Sequence, residues 1–193
     1  AMVEGIVKAG LPADAVQLVP TQDRAAVGAL LKAQGQIDMV IPRGGKSLVA
    51  RVQDEARVPV LAHLGGICHT FIHAKADPAM AEAIAVNAKM RRTGICGSTE
   101  TLLIDQDYPE PARLIGALLD AGCEVRADDT LMELDARTVP AEEADWGTEY
   151  LDSIVSAKMV SGVDEAIEHI ARYGSQHTES IITNDDAAAA DFL

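Results

Sequence analysis

Asn87-Ala88-Lys89-Met90-Arg91-Arg92-Thr93-Gly94-Ile95-Cys96-Gly97-Ser98-Thr99-Glu100-Thr101-Leu102-Leu103-Ile104 runs from the end of one periodic pattern into the start of another. Upstream, Met80, Ile84, Ala85, Ala88 and Met90 recur at helical spacing. Downstream, Thr101 to Ile104 is a run of β-favouring residues. A helix that hands over to a buried strand is the unit of an α/β fold. At the handover Cys96 stands between Gly94 and Gly97, with Arg91 and Arg92 just before it. Glycine-flanked backbone can be approached closely by other groups. Nearby guanidinium charge favours the thiolate, the reactive form of cysteine. The stretch therefore predicts a cysteine nucleophile, against the alternative of a small buried hydrophobe.

The same alternation continues outward. Asp77 before Pro78 has the form of an N-cap and a first helical residue. Past the strand, Tyr108 to Pro111 predicts a turn, Ala112 to Asp120 a helix stopped near Gly122, and Cys123 to Arg126 a strand with Cys123 in the core. Ile154 to Val160 reads as a strand and 162–172 as a helix, while 127–144 is acidic and without pattern. Toward the N-terminus the expected order is a helix over 2–9 closed by Gly10, a strand over 15–19, a helix over 23–34 with Gly35 as C-cap, and a buried strand over 37–42. Arg43-Gly44-Gly45-Lys46-Ser47 then leads into a helix ending near Glu55, followed by strands over 58–62 and 70–73. This order fits the second half of a doubly wound nucleotide-binding sheet. A glycine pair at a helix start can hold phosphate on backbone N–H groups, with Lys46 adding charge; the alternative is a tight turn.

Composition narrows the function classes. Apolar residues make up 48% of the 193, enough for a sizeable core, and aromatics only 3%, so Ala, Val, Ile and Leu must do the packing. A net charge of −14 argues against nucleic acid or an anionic membrane as partner. Three cysteines without a CxxC pair fit reduced thiols in a cytoplasm better than a disulfide framework. No apolar run approaches the length needed to span a bilayer, and the N-terminus lacks a signal-peptide layout. Cys68-His69 has no partners at zinc spacing, so no metal is expected.

The segment from Asn87 to Leu103 resembles the catalytic-cysteine segment of the gamma-glutamyl phosphate reductase (glutamate-5-semialdehyde dehydrogenase) family, a branch of the aldehyde dehydrogenase superfamily. The resemblance extends along nearly the whole chain, which looks like the middle of a longer enzyme. Asp145-Trp146-Gly147-Thr148-Glu149-Tyr150-Leu151 is similar to the place where the superfamily has a glutamate on the nicotinamide-side ribose, which makes Glu149 the match. His169 to Ile181 is similar to the region that marks the reductase branch, and within it Ser175, His177 and Thr178 are candidate substrate contacts. Arg43, Gly44 and Gly45 match a segment near the bound dinucleotide. His63 falls where many aldehyde dehydrogenases carry a water-activating glutamate. A reductase has reason to omit that carboxylate, because activated water would hydrolyse the thioester. A histidine there can still move a proton or contact phosphate.

The resemblance implies an aldehyde dehydrogenase-like α/β fold. Residues 1–57 would be the remnant of the NADP-binding domain and 58–193 the catalytic domain, truncated at its C-terminus. It implies NADPH-dependent reduction of L-glutamyl 5-phosphate to glutamate 5-semialdehyde, in proline biosynthesis, through a thioester on Cys96. A homo-oligomer in the full-length enzyme and glutamate 5-kinase as a partner are further implications, and the 193 residues alone are expected not to turn over. Two rivals stay open: a dehydrogenase oxidising an aldehyde to an acid, and a domain that only binds or associates.

Overall fold

The computed structural model of the chain describes residues 1–63 and 65–193, with Lys46 described by its backbone. The expected charge of Lys46 at the glycine turn thus lies outside what is described, as does Leu64. The chain divides into two compact units, Ala1–Leu64 and Gly65–Leu193.

In the first unit, α1 (Met2–Lys8) ends before Gly10, whose φ of +80° closes the helix as expected. A short 3-10 turn (Ala13–Ala15) precedes α2 (Ala25–Leu31) and α3 (Lys46–Glu55). Leu31, Val49, Val52 and Val58 are buried. The expected strands are largely absent among the described residues. Val16 to Val19 is unpaired and exposed, and segments 37–42 and 58–62 meet only in an isolated parallel bridge, Val40 to Val60. A strand exists only where its N–H and C=O groups find a neighbour. Here Val40 donates to Pro59 O and Leu61 to Val40 O, and the pairing goes no further. Met39 and Ile41 are exposed, so the burial read into 37–42 is not realised.

The second unit is organised by a parallel sheet. Its elements are β1 (Cys68–Ile72), α4 (Pro78–Met90), β2 (Thr99–Asp105), α5 (Pro111–Asp120), β3 (Glu124–Ala127), α6 (Asp129–Met132), β4 (Val139–Pro140), β5 (Ile154–Val160), α7 (Gly162–Tyr173), β6 (Glu179–Ile182) and α8 (Asp186–Phe192). Among the described residues the six strands lie in the order β4-β3-β5-β2-β1-β6, all parallel. β1 and β2 are buried along their whole length, which is how strands read when helices cover both faces. Alternate side chains feed two cores. Ile72, Leu102 and Ile104 pack with Leu114, Ile115 and Leu118 of α5 and Ala81 and Ala85 of α4. Phe71 and Leu103 pack with Val160 and Ala166 on the other face.

Local signals set the helix ends. The Asp77 carboxylate accepts the Met80 N–H at 2.8 Å, and Pro78 occupies the first turn. The stretch 127–144, read as unpatterned, holds α6, β4 and the start of a 3-10 turn (Glu143–Gly147). Side-chain caps order it: Asp128 accepts from Leu131 N–H, and Glu142 with Asp145 forms a reciprocal capping box.

Candidate functional site

Between α4 and β2 the chain makes a short loop. The Ser98 N–H donates to the Ile95 carbonyl at 3.0 Å, closing a turn with Cys96 and Gly97 at its centre. The Ser98 hydroxyl lies 3.2 Å from the Lys89 carbonyl oxygen and 3.4 Å from that of Ala88, where α4 leaves carbonyls unpaired. Cys96 is exposed at this turn, whereas Cys68 and Cys123 are buried. Burial pushes the Cys68 thiol up to about 11, helped by the Glu179 charge, and burial does the same to Cys123. Arg91 and Arg92 are both exposed, and Arg91 lines a groove between α4 and α5 with Glu82, Asn87 and Asp120.

The segment leading into β1 packs directly on this loop. Gly66 faces the Cys96 backbone so closely that a Cβ would overlap its carbonyl oxygen and stand 2.7 Å from its carbonyl carbon. The Cys68 thiol donates to the same oxygen at 3.1 Å and lies 3.6 Å from Nδ1 of His177. Gly66 N–H donates to Oε1 of Glu149 at 2.7 Å, and Ile67 N–H to Oγ of Ser175 at 2.8 Å. His177 Nδ1 is 2.8 Å from the Thr178 hydroxyl, and the His177 ring neighbours Gly97. Gln176, between Ser175 and His177, has φ of +58°, in the left-handed region a non-glycine residue enters only under constraint. Residues Gly66 to Cys68 thus gather Cys96, Glu149, Ser175, His177 and Thr178 within the second unit. The part played by Gly66 and Cys68 went unread in the sequence. The Gly65-Gly66 doublet ahead of a strand was the available signal.

Arg43, Gly44 and Gly45 lie in the first unit, at the head of α3. Gly45 is the N-cap and offers no side chain to the first-turn N–H groups. A cavity of about 530 Å³ there is lined by Arg24, Val27, Gly45, Ser47, Leu48 and Arg51. Helix N–H groups and the Arg24 guanidinium are suitable donors for the phosphates of a dinucleotide, while the Arg51 guanidinium is held by Glu55 at 2.8 and 3.3 Å. His63 is exposed, also in the first unit.

A buried histidine cluster was not anticipated. Glu179 Oε2 accepts both the N–H of His69, at 2.8 Å, and its Nδ1, at 3.0 Å. His169 packs against His69, Trp146 and Tyr173 at ring distances of 5.5, 5.6 and 4.7 Å. Neither ring nitrogen of His169 has a partner among the described residues, and burial lowers its pKa to about 3, with His69 adding to the effect. Among the described residues no cluster of three or more His, Cys, Asp or Glu is placed to hold a metal ion, and no helix is long and apolar enough to cross a membrane.

Comparison with known proteins bears on this geometry. Residues 1–166 match the sequence profile of the aldehyde dehydrogenase family. The gamma-glutamyl phosphate reductase of Rhizorhabdus wittichii is 63% identical over 193 residues, which is 100% of this chain and 45% of that protein. The reductase of the same name from Novosphingobium aromaticivorans shows the same identity and coverage. The crystal structure of gamma-glutamyl phosphate reductase from Thermotoga maritima superposes with a TM-score of 0.87 at 37% identity, covering 99% of this chain and 47% of that one. The chain therefore spans about half the length of the curated relatives it matches.

Proposed function

The chain belongs to the aldehyde dehydrogenase family, and on that premise we propose that it carries the thiol chemistry of an NADPH-dependent reductase of L-glutamyl 5-phosphate. The observation behind this reading is the exposed Cys96 on a tight turn whose next residue, Gly97, neighbours the ring of His177, itself 2.8 Å from the Thr178 hydroxyl. Cys96 thiolate attacks the acyl carbon, a C–S bond forms, and the C–O bond to phosphate breaks with its electron pair leaving on phosphate. Backbone N–H groups of the turn meet the oxyanion that forms on the way. His177 and Thr178 contact the substrate's anionic groups. Ser175 acts more through its hold on Ile67 N–H, which fixes the floor under the Cys96 carbonyl.

Arg43, Gly44 and Gly45 would hold the phosphates of NADPH, and Glu149 the nicotinamide-side ribose. When bound, NADPH supplies the hydride that reduces the thioester to the aldehyde. His63 in place of a water-activating carboxylate spares the thioester from hydrolysis, which favours reduction over the rival reading of aldehyde oxidation to an acid.

The purified chain provides the test. With L-glutamyl 5-phosphate, mass spectrometry should find a hydroxylamine-labile acyl group on Cys96 and matching release of phosphate. Cys96→Ala should show no acyl group and no phosphate release beyond that of the substrate in buffer alone. Acylation at Cys68, or phosphate release undiminished in Cys96→Ala, would defeat the assignment.

A further inference from the structure

The loop that carries Cys96 is bracketed by a buried ion pair. Lys89 is in the last turn of α4 and Glu100 is the second residue of β2. Their Nζ and Oε2 are 2.7 Å apart, and both side chains are fully buried. Such pairs are poor sources of net stability, because desolvating two charges offsets most of their attraction, and apolar replacements are often as stable. A buried pair in this position calls for a reason other than stability.

The second carboxylate oxygen supplies one. Oε1 of Glu100 accepts the N–H of Leu151 at 3.3 Å. Leu151 has φ of +54°, so this backbone too is held in a conformation that a leucine seldom adopts. Two residues earlier, Glu149 accepts the N–H of Gly66, and Gly66 lies against the Cys96 carbonyl. Gly94, inside the loop, approaches the Leu151 carbonyl: a Cβ there would be 3.7 Å from the oxygen. The contacts close on themselves. They run from the Cys96 turn to Gly66, to Glu149, along the backbone to Leu151, to Glu100, to Lys89, and back into the loop through the Ser98 hydroxyl on the Lys89 carbonyl.

We propose that Glu100 is a positioning residue that holds the Cys96 loop and the Glu149 segment in register with each other. One of its oxygens fixes the base of the loop through Lys89, and the other fixes the Glu149 segment through the Leu151 N–H. The role of the ion pair is then to keep Glu100 ionised and pointed, with one acceptor for each neighbour. Burial raises the Glu100 carboxyl, and Lys89 with the backbone N–H groups of Leu151 and Tyr150 draws it back. The inference rests on Cys96 being the reacting thiol. Its test reads thiol and amide behaviour rather than turnover, so loss of the reductase reading would leave the test intact.

Two double variants separate positioning from mere packing. Lys89→Met with Glu100→Gln removes both charges but keeps an acceptor for Leu151 N–H. Lys89→Met with Glu100→Leu removes the acceptor as well. In the purified chain, the Leu variant should change the rate of Cys96 alkylation by iodoacetamide about tenfold or more, because the loop that sets the thiol's surroundings loses its hold. The Gln variant, which keeps the acceptor for Leu151 N–H, should stay within about threefold of the parent. Equal behaviour of the two folded variants would overturn the proposal. The unaltered chain gives a second measurement that does not depend on a variant folding. In native-state hydrogen exchange under dilute denaturant, the amides of Gly66, Ser98 and Leu151 should open together as one unit. Separate opening free energies for the three would also overturn it.

Discussion

Gly66 packs on the carbonyl of Cys96 with no room for a side chain. The neighbouring atoms are backbone, so nothing flexible can swing aside. Gly66→Ala should therefore displace the Cys96 turn and cost about 1–3 kcal/mol, the usual scale of overpacking. Urea unfolding would measure the loss. Parent-like stability in Gly66→Ala would mean that the two segments are not in contact in solution.

The three thiols should react in a definite order. Cys68 and Cys123 are buried with thiols pushed up to about 11, while Cys96 is exposed. At pH 8 each buried thiol is ionised in about one molecule per thousand, and only the thiolate reacts. Iodoacetamide at pH 8 should label Cys96 first, and Cys96→Ser should leave the folded chain almost unlabelled. Peptide mapping that finds Cys68 modified before Cys96 would contradict this.

His169 gives the chain an acid-sensitive limb. Its value is about 3 folded against 6.5 unfolded, so between these limits the unfolded chain binds the extra proton. Stability from this group is complete above pH 6.5 and falls as pH drops toward 3. Each pH unit inside that window contributes up to about 1.4 kcal/mol. His169→Phe keeps an aromatic ring among Trp146 and Tyr173 and removes the proton. Its stability between pH 6 and 4 should decline less steeply than the parent's, by up to one proton in the slope. Parallel pH profiles would show that His169 does not titrate differently on folding.

The helix that delivers the cysteine loop begins at a cap that can be removed. Asp77→Ala takes away the acceptor for Met80 N–H and should cost about 1 kcal/mol. Asp77→Asn and Asp77→Ser, which keep an oxygen, should recover most of it. Thermal melts of the four chains would rank them.

A backbone test applies at Gln176. A β-branched residue tolerates its left-handed conformation poorly, while Gly and Asn adopt it at little cost. Gln176→Val should lower the melting temperature, and Gln176→Gly should leave it near the parent's. The opposite ranking would mean that Gln176 is not held in that conformation in solution.

What the sequence discloses depends on whether the deciding neighbour is close along the chain. The helix starting at Pro78 and the strand over Ile154–Val160 appear where periodicity and capping residues put them, because those signals are local. Cys96 stands between helix and strand for the same reason. Segments 15–19, 37–42 and 58–62 carry equally apolar residues, yet a strand needs a partner, and apolar runs do not say whether one is present. The short elements in 127–144 were hidden because an acidic run conceals its individual caps. The contacts that Gly66–Cys68 makes left only the Gly65-Gly66 doublet as a local trace, since Glu149, Ser175 and His177 reach that segment across 83, 108 and 109 residues. The pairing of Lys89 with Glu100 spans only 11 residues, but helix and strand periods differ, so spacing does not show that the two side chains meet.

The parallel pairing of β1 with β6 fixes an order of events during synthesis. His69 lies beside Glu179 in the sheet, 110 residues later in the chain. Loops of that size close slowly, and the contacts they bring cannot form before their second half exists. Once Cys96 has left the ribosome, about 80 further residues must follow before β6 can dock, which takes about 4–16 s at ~5–20 residues per second. Through that interval the thiol is already made, but Ser175 and His177 have not arrived. Cys68, made earlier still and buried in the finished fold, thus passes through a window of vulnerability to oxidants and electrophiles that the finished fold closes.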